Sequence, residues 1–153
     1  MLSRLMTRIA TTAVAAVLAT AGAAQDNPLV IGAVTPNTGG MAALGNDLAN
    51  WYEIAVEEQN AAGGLLGRQV KLVRGDAVSP QEAIAAVDSL VGRDKAEILV
   101  GTIASGLSQA ASEAALSNNV LFWETGSLAK DLTERGLPNF VRSGPNTVNF
   151  AQV

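Results

Sequence analysis

The sequence predicts an α/β protein built on an open, doubly wound parallel sheet. Three observations carry that prediction. Short apolar runs alternate with longer segments whose apolar residues recur every three or four positions. Each run ends in a turn rich in Gly, Pro, Asn, Asp or Ser. The composition is 48% hydrophobic but only 4% aromatic, which suits packed helices on a sheet rather than an aromatic-rich β-sandwich. At 153 residues the chain has room for one ordinary domain.

Residues 1–24 read as a secretory signal peptide. Arg4 and Arg8 precede an apolar run from Ile9 to Ala21, and the small residues that follow place cleavage after Ala23 or Ala24. The run falls short of the roughly 20 apolar residues that a membrane span needs. No adjacent Arg pair is present, so general secretion is expected rather than the twin-arginine route. Cleavage removes both Arg residues and no acid, which makes the exported chain more acidic than the −4 of the whole sequence.

From Leu29 the elements follow in order. Leu29–Thr35 is a buried strand stopped by Pro36 and the Gly39-Gly40 pair. A helix follows, capped by Asn46 or Asp47 or begun earlier near Leu44. Its inward positions are Leu48, Tyr52, Ala55, Val56 and Gln59, with Glu53, Glu57 and Glu58 facing away. It stops between Asn60 and Gly64. Gln69–Arg74 alternates as a half-buried strand. Ser79-Pro80-Gln81-Glu82 starts a second helix with a hydroxyl cap, Pro in the first turn and then an acid. Ala83, Val87, Leu90 and Val91 form its stripe. Ala96–Val100 is a strand, Leu107–Ser117 an Ala-rich helix, Val120–Trp123 a strand, Leu128–Arg135 a short helix and Asn139–Arg142 a last strand. Apolar strands joined by helices imply a parallel sheet covered on both faces.

Two residue types are missing altogether. Without Cys there are no disulfides, thiolate nucleophiles or Cys-ligated metals. Without His there is no Ser-His-Asp triad and no His-ligated metal. No cofactor or metal is expected, and the acidic balance argues against nucleic acid and against anionic membrane surfaces.

In a doubly wound sheet, ligands bind where strands hand over to helices. The loops concerned are 36–46, 75–80, 101–107 and 124–128. Gly101-Thr102-Ile103-Ala104-Ser105-Gly106 leads from a strand into a helix. Amides at the helix start and the Ser105 hydroxyl could hold a carboxylate there, or Ser105 could simply cap Ser108 N–H. It lacks the Gly-Lys-Ser/Thr of a phosphate loop and the Gly of a nucleophile elbow. Trp123-Glu124-Thr125-Gly126-Ser127 repeats the pattern. Glu124 could accept an ammonium group or be a solvated or Arg-paired carboxylate, and Ser127 could be a plain cap. Gly63-Gly64-Leu65-Leu66-Gly67 lies on the far side of the sheet and reads as a structural turn. Asp76, with no second acid close in sequence, reads as a loop-stabilising residue rather than a metal ligand.

Several segments occur in a specific order. They are Ile31-Gly32 to Gly45, Asn60 to Arg68 (NAAGGLLGR), Asp76 with Ser79-Pro80, Ile98 to Gly101 followed by Ser105, and Phe140-Val141-Arg142. In this the chain resembles the solute-binding proteins of ABC importers with the type I fold, and among them the branched-chain amino-acid, leucine-binding-like family. The resemblance spans Leu29 to Arg142 and implies a substrate-binding component that carries an amino acid through the periplasm to permease subunits in the inner membrane. Such a protein does no chemistry and works as a monomer. The resemblance places the ligand carboxylate and ammonium on two consecutive loops, at Ala104 and Ser105 and at Gly126 and Ser127. Leu44 stands where many relatives have an aromatic residue, and Leu128 where many have a hydroxyl. Ser127 is therefore expected to supply the hydroxyl, and Glu124 to alter the charge preference.

The same resemblance divides the chain into a signal peptide (1–24), an N-terminal ligand-binding lobe (25–142) and the start of a crossover towards a second lobe (143–153). A fragment of this kind is expected to bind amino acids weakly, because the opposite wall of the site lies outside it. Two other readings remain open at this point. One is a ligand-sensing module for an amide, urea or aromatic acid. The other is an exported serine hydrolase using Ser105 or Ser127, with Lys130 as base.

Overall fold

The computed structural model describes residues 27–152, so the expected signal peptide and its cleavage site lie outside the described residues. Five strands form one sheet: β1 (Leu29–Thr35), β2 (Val70–Asp76), β3 (Ile98–Gly101), β4 (Leu121–Glu124) and β5 (Phe140–Arg142). Their order is β2-β1-β3-β4-β5, and every pair is parallel. The helices are α1 (Ala42–Ala61), α2 (Pro80–Gly92), α3 (Ser105–Ser117), α4 (Asp131–Glu134) and α5 (Thr147–Ala151).

The apolar run at Leu29–Thr35 becomes a central strand because only a strand paired on both sides can bury such a run along its length. β2 pairs on one side only. As an edge strand it is half-buried through most of its length rather than alternating, and it continues through Gly75 to Asp76. The α2 start is built as the residue types dictate. The Ser79 hydroxyl accepts Glu82 N at 3.3 Å, and the Glu82 carboxylate accepts Val78 N at 2.8 Å. α2 buries Ala83, Ala86, Val87 and Leu90 against α3, whose Ala110, Ala111, Ala114 and Ala115 let the two helices approach closely. Leu99 and Phe122 fill the space beneath them, and Phe122 stacks on Phe140 with ring centroids 6.1 Å apart.

The far end of the sheet is closed by the NAAGGLLGR turn. The Asn60 side chain brackets Val70, donating to its carbonyl at 2.8 Å and accepting its amide at 2.7 Å. Arg68 donates to the carbonyls of Asn27 and Pro28 and pairs with Glu97. These contacts make the segment structural.

The structure corrects several boundaries. A 3-10 turn over Gly39–Met41 feeds directly into α1, so neither Asn46 nor Asp47 caps it. Asn46 instead donates to the carbonyls of Asn37 and Ala42. Ala55 and Gln59 are exposed, because α1 lies over β1 and β2 alone and its buried stripe is narrow. α3 begins at Ser105 rather than Leu107, α4 is a single turn, and α5 is an element that the sequence reading took for plain crossover.

Helices lie on both faces of the sheet, but coverage of the second face is partial. The steps β2→β3, β3→β4 and β4→β5 run in one direction across the sheet, so right-handed crossovers put α2, α3 and α4 on one face. Only β1→β2 steps the other way and places α1 opposite. Among the described residues no helix covers the second face of β4 and β5, and Leu121, Trp123 and Val141 are exposed there. None of the described helices is long and apolar enough to cross a membrane.

Candidate functional site

The strand order reverses between β1 and β3, and the loops leaving these strands flank a crevice. A cavity of about 240 Å³ lies there, lined by Pro36, Gly40 and Met41 after β1, Val78 and Pro80 after β2, and Ala104, Gly106 and Leu107 after β3. Three of the four loops singled out from sequence meet at this cavity. The lining is mainly apolar.

Asp76 holds the first of these loops. Its carboxylate accepts the amides of Asn37 at 2.7 Å and Thr38 at 3.3 Å, and the Thr38 hydroxyl at 2.6 Å. Partial burial pushes the Asp76 carboxyl up, but the Thr38 hydroxyl and the amides of Asn37, Thr38 and Ala77 outweigh it and hold the group below its ordinary range. This is the loop-stabilising role read from the sequence. A carboxyl lowered in the folded state stabilises above its unfolded-state pKa and loses that contribution as pH falls through the folded value. Asp76→Asn is expected to destabilise the loop by about 1 kcal/mol near neutral pH, with the deficit vanishing in acid. Amide exchange at Asn37 and Thr38 measures it, and equal exchange in both proteins at pH 7 would refute it.

The β3–α3 loop presents Ser105 at the first turn of α3. Ala104 is the cap, and its carbonyl accepts Leu107 N and Ser108 N, both at 3.0 Å. The alternative in which Ser105 caps Ser108 is therefore corrected. Ser105 Oγ accepts Ala129 N at 3.1 Å, which leaves its proton and a second lone pair for other partners. The amides of Ser105 and Gly106, in the first turn, have no partner within the helix.

The β4–α4 loop packs directly on this one. Gly126 lies so close to the preceding loop that a Cβ there would sit 2.7 Å from the Thr102 carbonyl oxygen. Tyr52 of α1 reaches across to hydrogen-bond the Thr125 hydroxyl. Burial pushes the Tyr52 phenol up, the Thr125 bond lowers it and the charge of Glu124 raises it, for a net value of about 12. The phenol therefore stays neutral through the physiological range.

Glu124 is neither solvated nor, among the described residues, in a salt bridge. Its side chain is fully buried. Oε1 accepts Gly126 N at 2.7 Å and Ser127 N at 2.6 Å, while Oε2 accepts the Ser108 hydroxyl and Thr102 N at 3.4 Å. Ser127 lies in the same network: its hydroxyl is buried and faces Ser108 Oγ at 2.7 Å and Thr102 Oγ1 at 3.3 Å. Thr102 and Ser108 are the residues that sequence reasoning missed in this role. The signal available was a polar residue four places into an Ala-rich helix facing a strand-end acid.

Arg142 completes the loop from the other side. It stands opposite Glu124 in the β4–β5 register, and its Nη2 donates to the carbonyls of Ser127 and Ala129, both at 2.9 Å. Lys130 Nζ lies 3.3 Å from Glu134, and the Ser127 hydroxyl is enclosed by Thr102 and Ser108, so the nucleophile–base pair of the hydrolase reading is not assembled. Leu44 is exposed near the start of α1 and does not line the cavity. Among the described residues no cluster of acids could hold a metal.

Comparison with known proteins places the fold in a family. A family model described as periplasmic binding protein matches residues 28–152. The Leu/Ile/Val-binding protein homolog 7 of Brucella suis is 40% identical over 140 residues, covering 92% of this chain and 35% of the relative. The branched-chain amino acid transporter substrate binding protein LivJ from Streptococcus pneumoniae, solved with isoleucine, superposes with a TM-score of 0.74 at 28% identity, over 78% of this chain and 34% of its own. A solute binding protein from R. palustris, solved with benzoate, gives 0.70 at 27% identity, over 78% and 33%. The chain thus spans about a third of the length of the relatives it matches. By fold and by sequence, this chain belongs to the periplasmic binding protein family.

Proposed function

We propose that this chain is the first ligand-holding lobe, residues 25–142, of the substrate-binding component of an ABC importer. It captures an amino acid of the branched-chain type in the periplasm, after removal of residues 1–24, for delivery to membrane permease subunits. The observation that carries the reading is the polarity of the two facing loops. The start of α3 offers donors, namely the Ser105 and Gly106 amides and the Ser105 hydroxyl, where a carboxylate is stabilised by unpaired amides and the helix dipole. The β4–α4 loop offers an acceptor: among the described residues no backbone donor outside the regular elements reaches the Gly126 carbonyl. A donor pole beside an acceptor pole matches the carboxylate and ammonium of an α-amino acid. The apolar cavity beside Ala104 and the exposed Leu44 and Leu128 suit an apolar side chain rather than a charged one. The relative solved with isoleucine lends this weight.

Titration of the isotope-labelled protein with L-leucine, followed by amide NMR, tests the reading. Shifts are expected at Ser105, Gly106 and Gly126. Ser105→Ala is expected to weaken binding about tenfold, the equivalent of one charge-assisted hydrogen bond. Leucine-dependent shifts confined to other surfaces, or none, would overturn it.

A further inference from the structure

Three amides of the β4–α4 loop are directed inward. The amides of Gly126 and Ser127 both point at Glu124 Oε1, and Ala129 N points at Ser105 Oγ. The carbonyls of Ser127 and Ala129 are held by Arg142, and that of Leu128 by Thr147 N at 2.9 Å. The Nε and Nη1 of Arg142 are buried away from solvent and have no hydrogen-bond partner among the described residues. A strand-to-helix turn with a Gly and free amides would ordinarily be a place for an anion. Here the protein has put its own carboxylate in that place.

We propose that Glu124, without touching the ligand, sets the charge that the loop accepts. By occupying the Gly126 and Ser127 amides from behind, it leaves an acceptor surface that takes an ammonium group and turns away a second anion. The inference rests on the amino-acid reading above and deepens it: of the two polar groups of a ligand, only the one at Ser105 can be negative. Specificity of this kind comes from a competing group left without a partner as much as from the preferred group being bound.

Three ligands with one side chain test it. L-leucine, 4-methylpentanoate and isobutylmalonate carry an ammonium group, a hydrogen and a carboxylate at the same carbon. Amide shifts at Ser105 and Gly106 give each dissociation constant for the purified protein. Leucine is expected to bind tightest and isobutylmalonate at least about tenfold more weakly. Glu124→Ala releases the two amides and is expected to narrow that gap to below about threefold, while Glu124→Gln keeps an oxygen for them and preserves it. A wild-type gap below about threefold with leucine still bound overturns this inference alone, as does Glu124→Gln closing the gap as fully as Glu124→Ala. Failure of all three ligands to bind overturns the amino-acid reading and this inference with it. If Glu124→Ala does not fold, the wild-type ranking still decides. Amide exchange without ligand decides too: slow exchange at Gly126 and Ser127 supports their occupation by Glu124, and fast exchange refutes it.

Discussion

Alanine at position 101 is expected to destabilise the fold by at least about 4 kcal/mol, enough to leave much of the chain unfolded. Gly101 ends β3 and is buried against Val34 of β1, its partner in the parallel register. A Cβ there would sit 2.1 Å from the Val34 carbonyl oxygen and 3.1 Å from the Val34 carbonyl carbon. Both atoms belong to the backbone of a central strand, so no side-chain rotation relieves the clash. The residue also has φ of +139°, a conformation that L side chains rarely adopt. Steric overlap and backbone strain therefore act together, and both act at the point where the chain leaves the sheet for Thr102–Ser105. Gly106→Ala is the control. A Cβ at 106 meets nothing within 4 Å, and alanine is the better helix former, so stability is expected to stay level or rise by up to about 1 kcal/mol. Urea unfolding followed by circular dichroism compares the two. A Gly101→Ala midpoint equal to that of wild type would show that β1 and β3 can separate without loss.

The contrast between these two glycines also shows which features the sequence could reveal. Local chemistry was legible. The run Leu29–Thr35 could only be a buried strand, Ser79-Pro80 could only open a helix, and Asp76 could be read as a loop-stabilising acid, since each signal lies within a few residues. What was not legible depends on neighbours far along the chain. Glu124 looks like an ordinary strand-end acid until residues 102, 108, 126 and 127 converge on it. Ser105 and Ser127 look alike in sequence, each following a glycine-bearing turn. Yet one is half-exposed and keeps a proton to give, and the other is sealed between Thr102 and Ser108. The α1 stripe was read too wide because its width depends on how many strands the helix covers, and that follows from strand order rather than periodicity.

Adjacent aromatic residues on β4 are expected to respond unequally. Phe122→Ala is expected to destabilise by about 3–5 kcal/mol, the usual penalty for emptying a packed aromatic site. Its ring is fully buried under α3, touches the Ala-lined core and stacks on Phe140, so its removal opens a cavity that fixed helices cannot collapse into. Trp123 is larger, yet it is 45% exposed on the face that no described helix covers. Trp123→Ala is expected to cost only about 1–2 kcal/mol, clearly less than Phe122→Ala, because nearly half of the ring stays in water and its removal leaves no enclosed cavity. Hydrophobicity alone ranks the two the other way, so the pair reads the sidedness of the sheet directly. Chemical denaturation of both variants measures it. A large penalty for Trp123→Ala would mean that some segment packs on β4 and β5 in solution. The right-handed crossovers put α2, α3 and α4 on one side, and only the placement of the second face would then need revision.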